Sequence, residues 1–164
     1  MKIISGGQTG ADLGGLEAGK ELGLETGGWA PKGWLTEKGP QRKLLESYGL
    51  KEYTEFGYPA RTKRNVMDAD LTLIFGRMSG AGSKLTEYYC QRFGKPYAVN
   101  PLVGHIHKLI EKYNVKILNV AGNRESRNPG IQERVRKLLV EALGEVNFLS
   151  AEQNSTVNGG TKAS

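Results

Sequence analysis

The sequence predicts an α/β domain of Rossmann-like type, with a mostly parallel sheet and helices on both faces. Three observations predict it. Short apolar runs recur along the chain, segments of helical periodicity lie between them, and glycines gather where the apolar runs end. Strands that alternate with helices imply crossover connections and hence parallel neighbours. A chain of 164 residues is the size of one domain and needs no disulfide or metal to complete its core.

The elements follow in chain order. Residues 2–4 (KII) form a first strand that ends in Ser-Gly-Gly. Residues 11–22 carry Leu13, Leu16 and Leu22 and read as a helix. Residues 27–57 are broken by glycine, proline and charge, so this stretch reads as a long functional loop with one helix near residues 40–48. A further helix covers residues 60–67. The runs 71–75 (LTLIF), 97–99 and 115–120 are strands, several apolar almost throughout, as strands covered on both faces should be. Residues 83–93 space Leu85, Tyr89 and Phe93 four apart, and residues 105–113 bring Ile106, Leu109, Ile110 and Tyr113 together.

The clearest helix is residues 129–143. Ile131, Val135, Leu138, Leu139 and Ala142 share one face, and Glu133, Arg134, Arg136 and Lys137 the other. Asn128 suits the N-cap and Pro129 the first turn. The ligand-binding domain therefore spans residues 1–149. Residues 150–164 have no periodicity and read as a flexible tail.

Composition narrows the function classes. Twenty-three Lys and Arg against 17 Asp and Glu give a net charge of +6. Such a field favours anionic ligands, although a charge of this size is more often only a solubility feature. No nucleic-acid-binding motif accompanies it. A single cysteine, Cys90, excludes an internal disulfide, and no apolar stretch approaches the roughly 20 residues that span a membrane. The N-terminus turns polar after four residues, unlike a signal peptide. The expectation is a cytoplasmic protein with no membrane or nucleic-acid partner. His105 and His107 face different sides of their helix, which gives no zinc site, and no nucleophile motif is present.

Three loops at strand ends carry the chemistry. The first contains Gly6, Gly7, Gln8, Thr9, Gly10 and Asp12, between the first strand and the first helix. Glycines there admit close approach of a ligand to the backbone, and a helix start offers N–H donors to an anion. Its spacing matches neither GxGxxG nor a P-loop. A plain turn with Thr9 as helix cap is the bland alternative. The second loop contains Ser79, Gly80, Gly82 and Ser83, ahead of Thr86, in the same arrangement. In open α/β sheets ligands bind at the carboxyl ends of strands, so the two loops face one crevice if their strands are neighbours, and are two independent turns otherwise. The third contains Arg124, Glu125 and Ser126. An arginine fork can clamp phosphate or carboxylate, or it can stand as an exposed loop residue. A basic turn with Arg61 and Asn65 offers further anion contacts, or only a solvated helix face. Lys32 lies between Trp29 and Trp34, which either stack on a planar ring or pack in the core.

These segments as a set resemble a family. ISGGQTGAD at the N-terminus, GGWAPKG at Trp29, RTKRNVMDADLTLIF, the Gly82-Ser83 loop and LNVAGNRESRNPGI follow in the order seen in molybdenum carrier proteins, also called molybdenum cofactor carriers. The resemblance covers Ile3 to about Leu143. It implies a Rossmann-like fold that holds molybdenum cofactor (a phosphorylated molybdopterin bearing a molybdenum oxo-dithiolene) for storage or transfer without catalysis. It also implies a homo-oligomer, dimer or tetramer, and molybdoenzyme apoproteins as partners. The wider superfamily includes cytokinin-activating phosphoribohydrolases with PGGxGTxxE, whose glutamate is catalytic. Here Gly82-Ser83 matches Gly-Thr, so Thr86 holds the glutamate position, and Glu87 is turned about 100° around the helix. The alternative reading is a nucleoside-monophosphate phosphoribohydrolase-like enzyme or a sensor of a nucleotide-derived ligand.

Overall fold

The computed structural model describes residues 1–158. Its elements are β1 (Lys2–Ile4), α1 (Ala11–Glu21), β2 (Glu25–Ala30), β3 (Leu35–Thr36), β4 (Gly39–Pro40), α2 (Arg42–Ser47) and β5 (Leu50–Glu52). There follow α3 (Tyr58–Asp68), β6 (Leu71–Phe75), α4 (Ala81–Arg92), β7 (Tyr97–Val99), α5 (Val103–Lys112), β8 (Ile117–Gly122) and α6 (Ile131–Asn158). Six strands form one sheet in the order β5-β2-β1-β8-β6-β7, with every pairing parallel. β3 and β4 form a separate antiparallel hairpin.

The strand order is unusual in one respect. The last strand, β8, sits between β1 and β6. Counted from β8 as the first strand, the order becomes 4-3-2-1-5-6, an ordinary doubly wound sheet that reverses between β8 and β6. A reversal leaves a crevice at the carboxyl ends of the strands, because the connections on either side depart in opposite directions.

Both faces of the sheet are covered. On one, Ile3, Leu71, Leu73, Leu118 and Val120 pack with Ala18 of α1, Ile106 and Ile110 of α5, and Val135 and Leu139 of α6. A smaller cluster joins Leu13 and Leu16 of α1 to Trp34, Leu45 and Leu50. α3 and α4 lie together on the opposite side, against β2, β6 and β8. No helix among the described residues is long and apolar enough to cross a membrane.

The structure differs from the sequence reading in three places. The stretch 27–57 is not one long loop: it holds most of β2, the hairpin, α2 and β5. α6 does not stop near Leu143 but continues through the segment read as a tail, to Asn158, since no glycine or proline breaks it between Gly144 and Gly159. Residues 159–164 of that segment lie outside the described residues. Asn128 does not cap α6 with its side chain, which instead bonds Asn123 and Arg134. Glu125 supplies the helix start, accepting the N–H groups of Gly130 and Gln132.

Candidate functional site

The carboxyl ends of β1, β8 and β6 open onto a cavity of about 620 Å³. That volume suits a small molecule. One wall is the loop after β1, through Gly6 and Gln8, with Asp12 of α1. α3 contributes Tyr58, Arg61, Thr62 and Asn65. Opposite stand Arg77, Ser79, Gly80 and the first turns of α4, to Thr86. Asn119 of β8 and Asn123, Arg124 and Arg127 of the following loop complete the lining. The two glycine loops thus face one cavity.

The start of α4 is the open donor group of this wall. Its N-cap is Gly80, which has no side chain to cap the helix, and the first bonded N–H is that of Lys84, to Gly80 O. The N–H groups of Ala81, Gly82 and Ser83 are therefore left to the cavity, with the positive end of the helix dipole behind them. Gly82 is exposed, and a Cβ there would meet nothing within 4 Å. Arg77 and Arg127 form no ion pair among the described residues, and Arg124 lends its field to Glu37.

Across the cavity, Arg61 Nη1 lies 3.6 Å from Asp12 Oδ2. Both residues are buried, at 9% and 5% exposure. The guanidinium rests on Gly6, where an added Cβ would fall 1.4 Å from Nη1 and would have to displace it. Arg61 Nε is buried without a hydrogen-bond partner. Asp12 also accepts the N–H groups of Gln8, at 3.2 Å, and Gly6. Burial drives the Asp12 carboxyl up to about 6, against the opposing pull of Arg61 and these N–H groups. Burial likewise lowers Arg61 from its ordinary value.

The first glycine loop, expected to cradle an anion, spends its donors internally. Gly7 N–H bonds Ser5 Oγ, Thr9 N–H bonds Gln8 Oε1, and Gly10 N–H bonds Gln132 Oε1. Gly7 faces Leu45 and Leu50 rather than the cavity. Gly10 has φ +82°, and a Cβ there would lie 2.3 Å from Asn123 O, so its role is a backbone crossing. Thr9 does not cap α1. Its hydroxyl donates to Glu37 and accepts Glu125 N–H at 3.2 Å. Glu37 also takes the Ser126 hydroxyl and N–H. This carboxylate in the hairpin straps together two loops whose polar residues the sequence offered to a ligand.

Of the residues singled out from sequence, Gly6, Gln8, Asp12, Arg61, Asn65, Ser79, Gly80, Gly82, Ser83, Thr86 and Arg124 line the cavity. Gly7, Thr9, Gly10, Lys32, Glu125 and Ser126 stand outside its lining. Lys32 lies over the Phe56 ring, 4.1 Å from its centroid. Trp29 is tied to Asn65 and Asp68, and Trp34 is core. Tyr58 and Asn119 were missed from sequence, and Arg77, Asn123 and Arg127 lay inside the singled-out loops without being named as ligand contacts. Asn119 carried a signal: it is a polar residue inside a buried strand, bonded to Thr72. Thr86 bonds Gly82 O on its own helix, whereas Glu87 accepts the Tyr97 hydroxyl. Among the described residues no three His, Cys, Asp or Glu side chains group as metal ligands.

Comparison with known proteins agrees with this architecture. The model of the circularly permutated YpsA SLOG family matches residues 3–143. The crystal structure of a protein named "Putative molybdenum carrier protein", from Syntrophus aciditrophicus SB, is 36% identical and aligns with a TM-score of 0.75. That match covers 86% of this chain and 92% of the other. No curated protein matches the sequence.

Proposed function

The chain belongs to the circularly permutated YpsA SLOG family, and on that premise we propose that it binds a phosphate-bearing, ring-containing small molecule and carries it without transforming it. The observation that carries this reading is the uncapped start of α4, facing a cavity edged by Arg61, Arg77, Arg124 and Arg127. A phosphate would take the N–H groups of Ala81, Gly82 and Ser83, which a helix start aims at an anion. The arginines would take the remaining anionic groups through charge-assisted bonds. Tyr58 at the rim offers a face to a planar ring.

Molybdenum cofactor is the ligand that fits this class best. It combines a phosphate, a pterin and an anionic oxo-dithiolene, and the similar protein from Syntrophus aciditrophicus SB bears the name of a molybdenum carrier. The residues that would hold it are the α4 start for the phosphate and Arg77, Arg124 and Arg127 for the oxo-metal end. A carrier role is favoured by Thr86, which occupies the wall where the related hydrolases place a glutamate, and by Glu87, which is turned to Tyr97. Transfer to molybdoenzyme apoproteins, from a cytoplasmic homo-oligomer, completes the proposal.

The test is the composition of protein purified without air from a host that makes the cofactor. Pterin absorbance with stoichiometric molybdenum supports the carrier. A tightly held nucleotide in place of both would put the sensor or hydrolase reading first.

A further inference from the structure

The reading above gives Arg61 to the ligand and leaves Asp12 without a part, yet the two form an ion pair in the cavity wall opposite α4. Among the described residues, Asp12 is the only carboxylate of that lining, beside four arginines. Its surroundings are settled element by element. From α3 it meets Arg61, which itself stacks over Tyr58 at 5.4 Å. From its own loop it meets the N–H groups of Gly6 and Gln8. α4 presents the uncharged Ser83 and Thr86, and β8 presents Asn119. Arg77, Arg124 and Arg127 stand on the loops after β6 and β8. Glu37 is held elsewhere, by Thr9 and Ser126.

Arg61 is thus the one charged partner that stabilises ionised Asp12 directly. It also keeps a buried Nε–H with no acceptor, so its hydrogen bonding is incomplete while it serves Asp12 alone. An anion in the cavity competes with Asp12 for the same guanidinium. It also adds negative charge beside a buried carboxylate. Both effects favour the neutral form of Asp12.

We propose that an anion entering this cavity is accompanied by a proton that binds Asp12, so that the site takes up anion and proton together. This rests on the cavity being an anion site. The proton comes from solvent, adds to a carboxylate oxygen of Asp12, and returns when the anion leaves. The carboxyl, already raised to about 6 before any anion arrives, is poised for this exchange near neutral pH. Linkage fixes the direction. Affinity is highest where Asp12 is already protonated, and it falls as pH rises, by up to about tenfold per pH unit for one coupled proton.

The experiment titrates sulfate, which keeps a constant double charge from pH 5 to 8, into the whole protein by calorimetry. Expected are weakening affinity from about pH 6 to 8 and uptake of up to one proton, read from the dependence of the heat on buffer ionisation. Asp12→Asn keeps an oxygen for the Gln8 N–H and should bind sulfate with no pH dependence over that range. The buffer experiment on the unaltered protein needs no variant, so the test survives if Asp12→Asn fails to fold. Sulfate binding without pH dependence or proton uptake overturns the coupling and leaves the anion site standing. No sulfate binding at any pH overturns both.

Discussion

Glu37 and Ser126, 89 residues apart, are joined twice: the carboxylate accepts both the backbone N–H and the hydroxyl of Ser126. With its bond to Thr9, Glu37 fastens the β3–β4 hairpin over the loops that follow β1 and β8. Burial alone would raise this carboxyl, but the bonds from Ser126 and Thr9 hold it below its ordinary value. Glu37→Ala should destabilise the fold by about 1–3 kcal/mol in denaturant titration near neutral pH, where the carboxylate is ionised. A depressed acid stabilises above its unfolded value, and that contribution is lost as pH falls through the folded one. The difference between parent and variant should therefore shrink below about pH 4.

Asp12 carries the opposite sign. Its carboxyl is raised from 3.8 to about 6 in the folded state, with burial as the main cause. The folded state then binds the proton more tightly, so this group's contribution to stability falls as pH rises from about 4 to 6. A shift of about two units corresponds to roughly 3 kcal/mol over that window. Asp12→Asn should remove this component, making stability rise more steeply, or fall less, from pH 4 to 6 than in the parent. Parallel curves would contradict the raised carboxyl.

The alternation of strands and helices was legible because the buried strands of a parallel sheet are continuous apolar runs, as in LTLIF at 71–75. β2 was not legible, and its glycines are the reason. Gly28 lies so close to β1 that a Cβ would fall 2.2 Å from Ser5 O, so packing demands the residue that hides a strand pattern. The second glycine loop was legible as a cavity wall, since its open helix start is a local property. The first loop lines the cavity through Gly6 and Gln8, but no local pattern announces that its donors are taken by Asp12, Ser5 and the distant Gln132. Arg77 and Arg127 lay inside the loops that sequence singled out. Only the fold shows that they line the same cavity as Arg124.

Arg124→Ala should weaken cofactor binding by roughly 10- to 150-fold, the equivalent of one charge-assisted hydrogen bond of about 1.5–3 kcal/mol. Lys32→Ala should leave it unchanged, because Lys32 sits on Phe56 outside the cavity. Equilibrium titration of both variants checks the pair, and equal losses would contradict the assigned lining.

Release of base from adenosine monophosphate or its N6-modified forms should be negligible, since Thr86 lines the cavity at the position that the resemblance to the phosphoribohydrolases assigns to their glutamate. Product chromatography after prolonged incubation measures this. Turnover near ~1 s⁻¹, ordinary for an enzyme, would make hydrolysis the function.

In the function proposed above, the open start of α4 holds the ligand's phosphate. Gly82 tests it, because a side chain there has room in the fold and would enter the space a phosphate needs. Isolated molybdenum cofactor should be titrated anaerobically into the parent and Gly82→Val, with folding checked by circular dichroism. Saturable binding by the parent, and a loss in folded Gly82→Val larger than in Arg124→Ala, is the predicted result. A folded Gly82→Val that binds as tightly as the parent would contradict the claim.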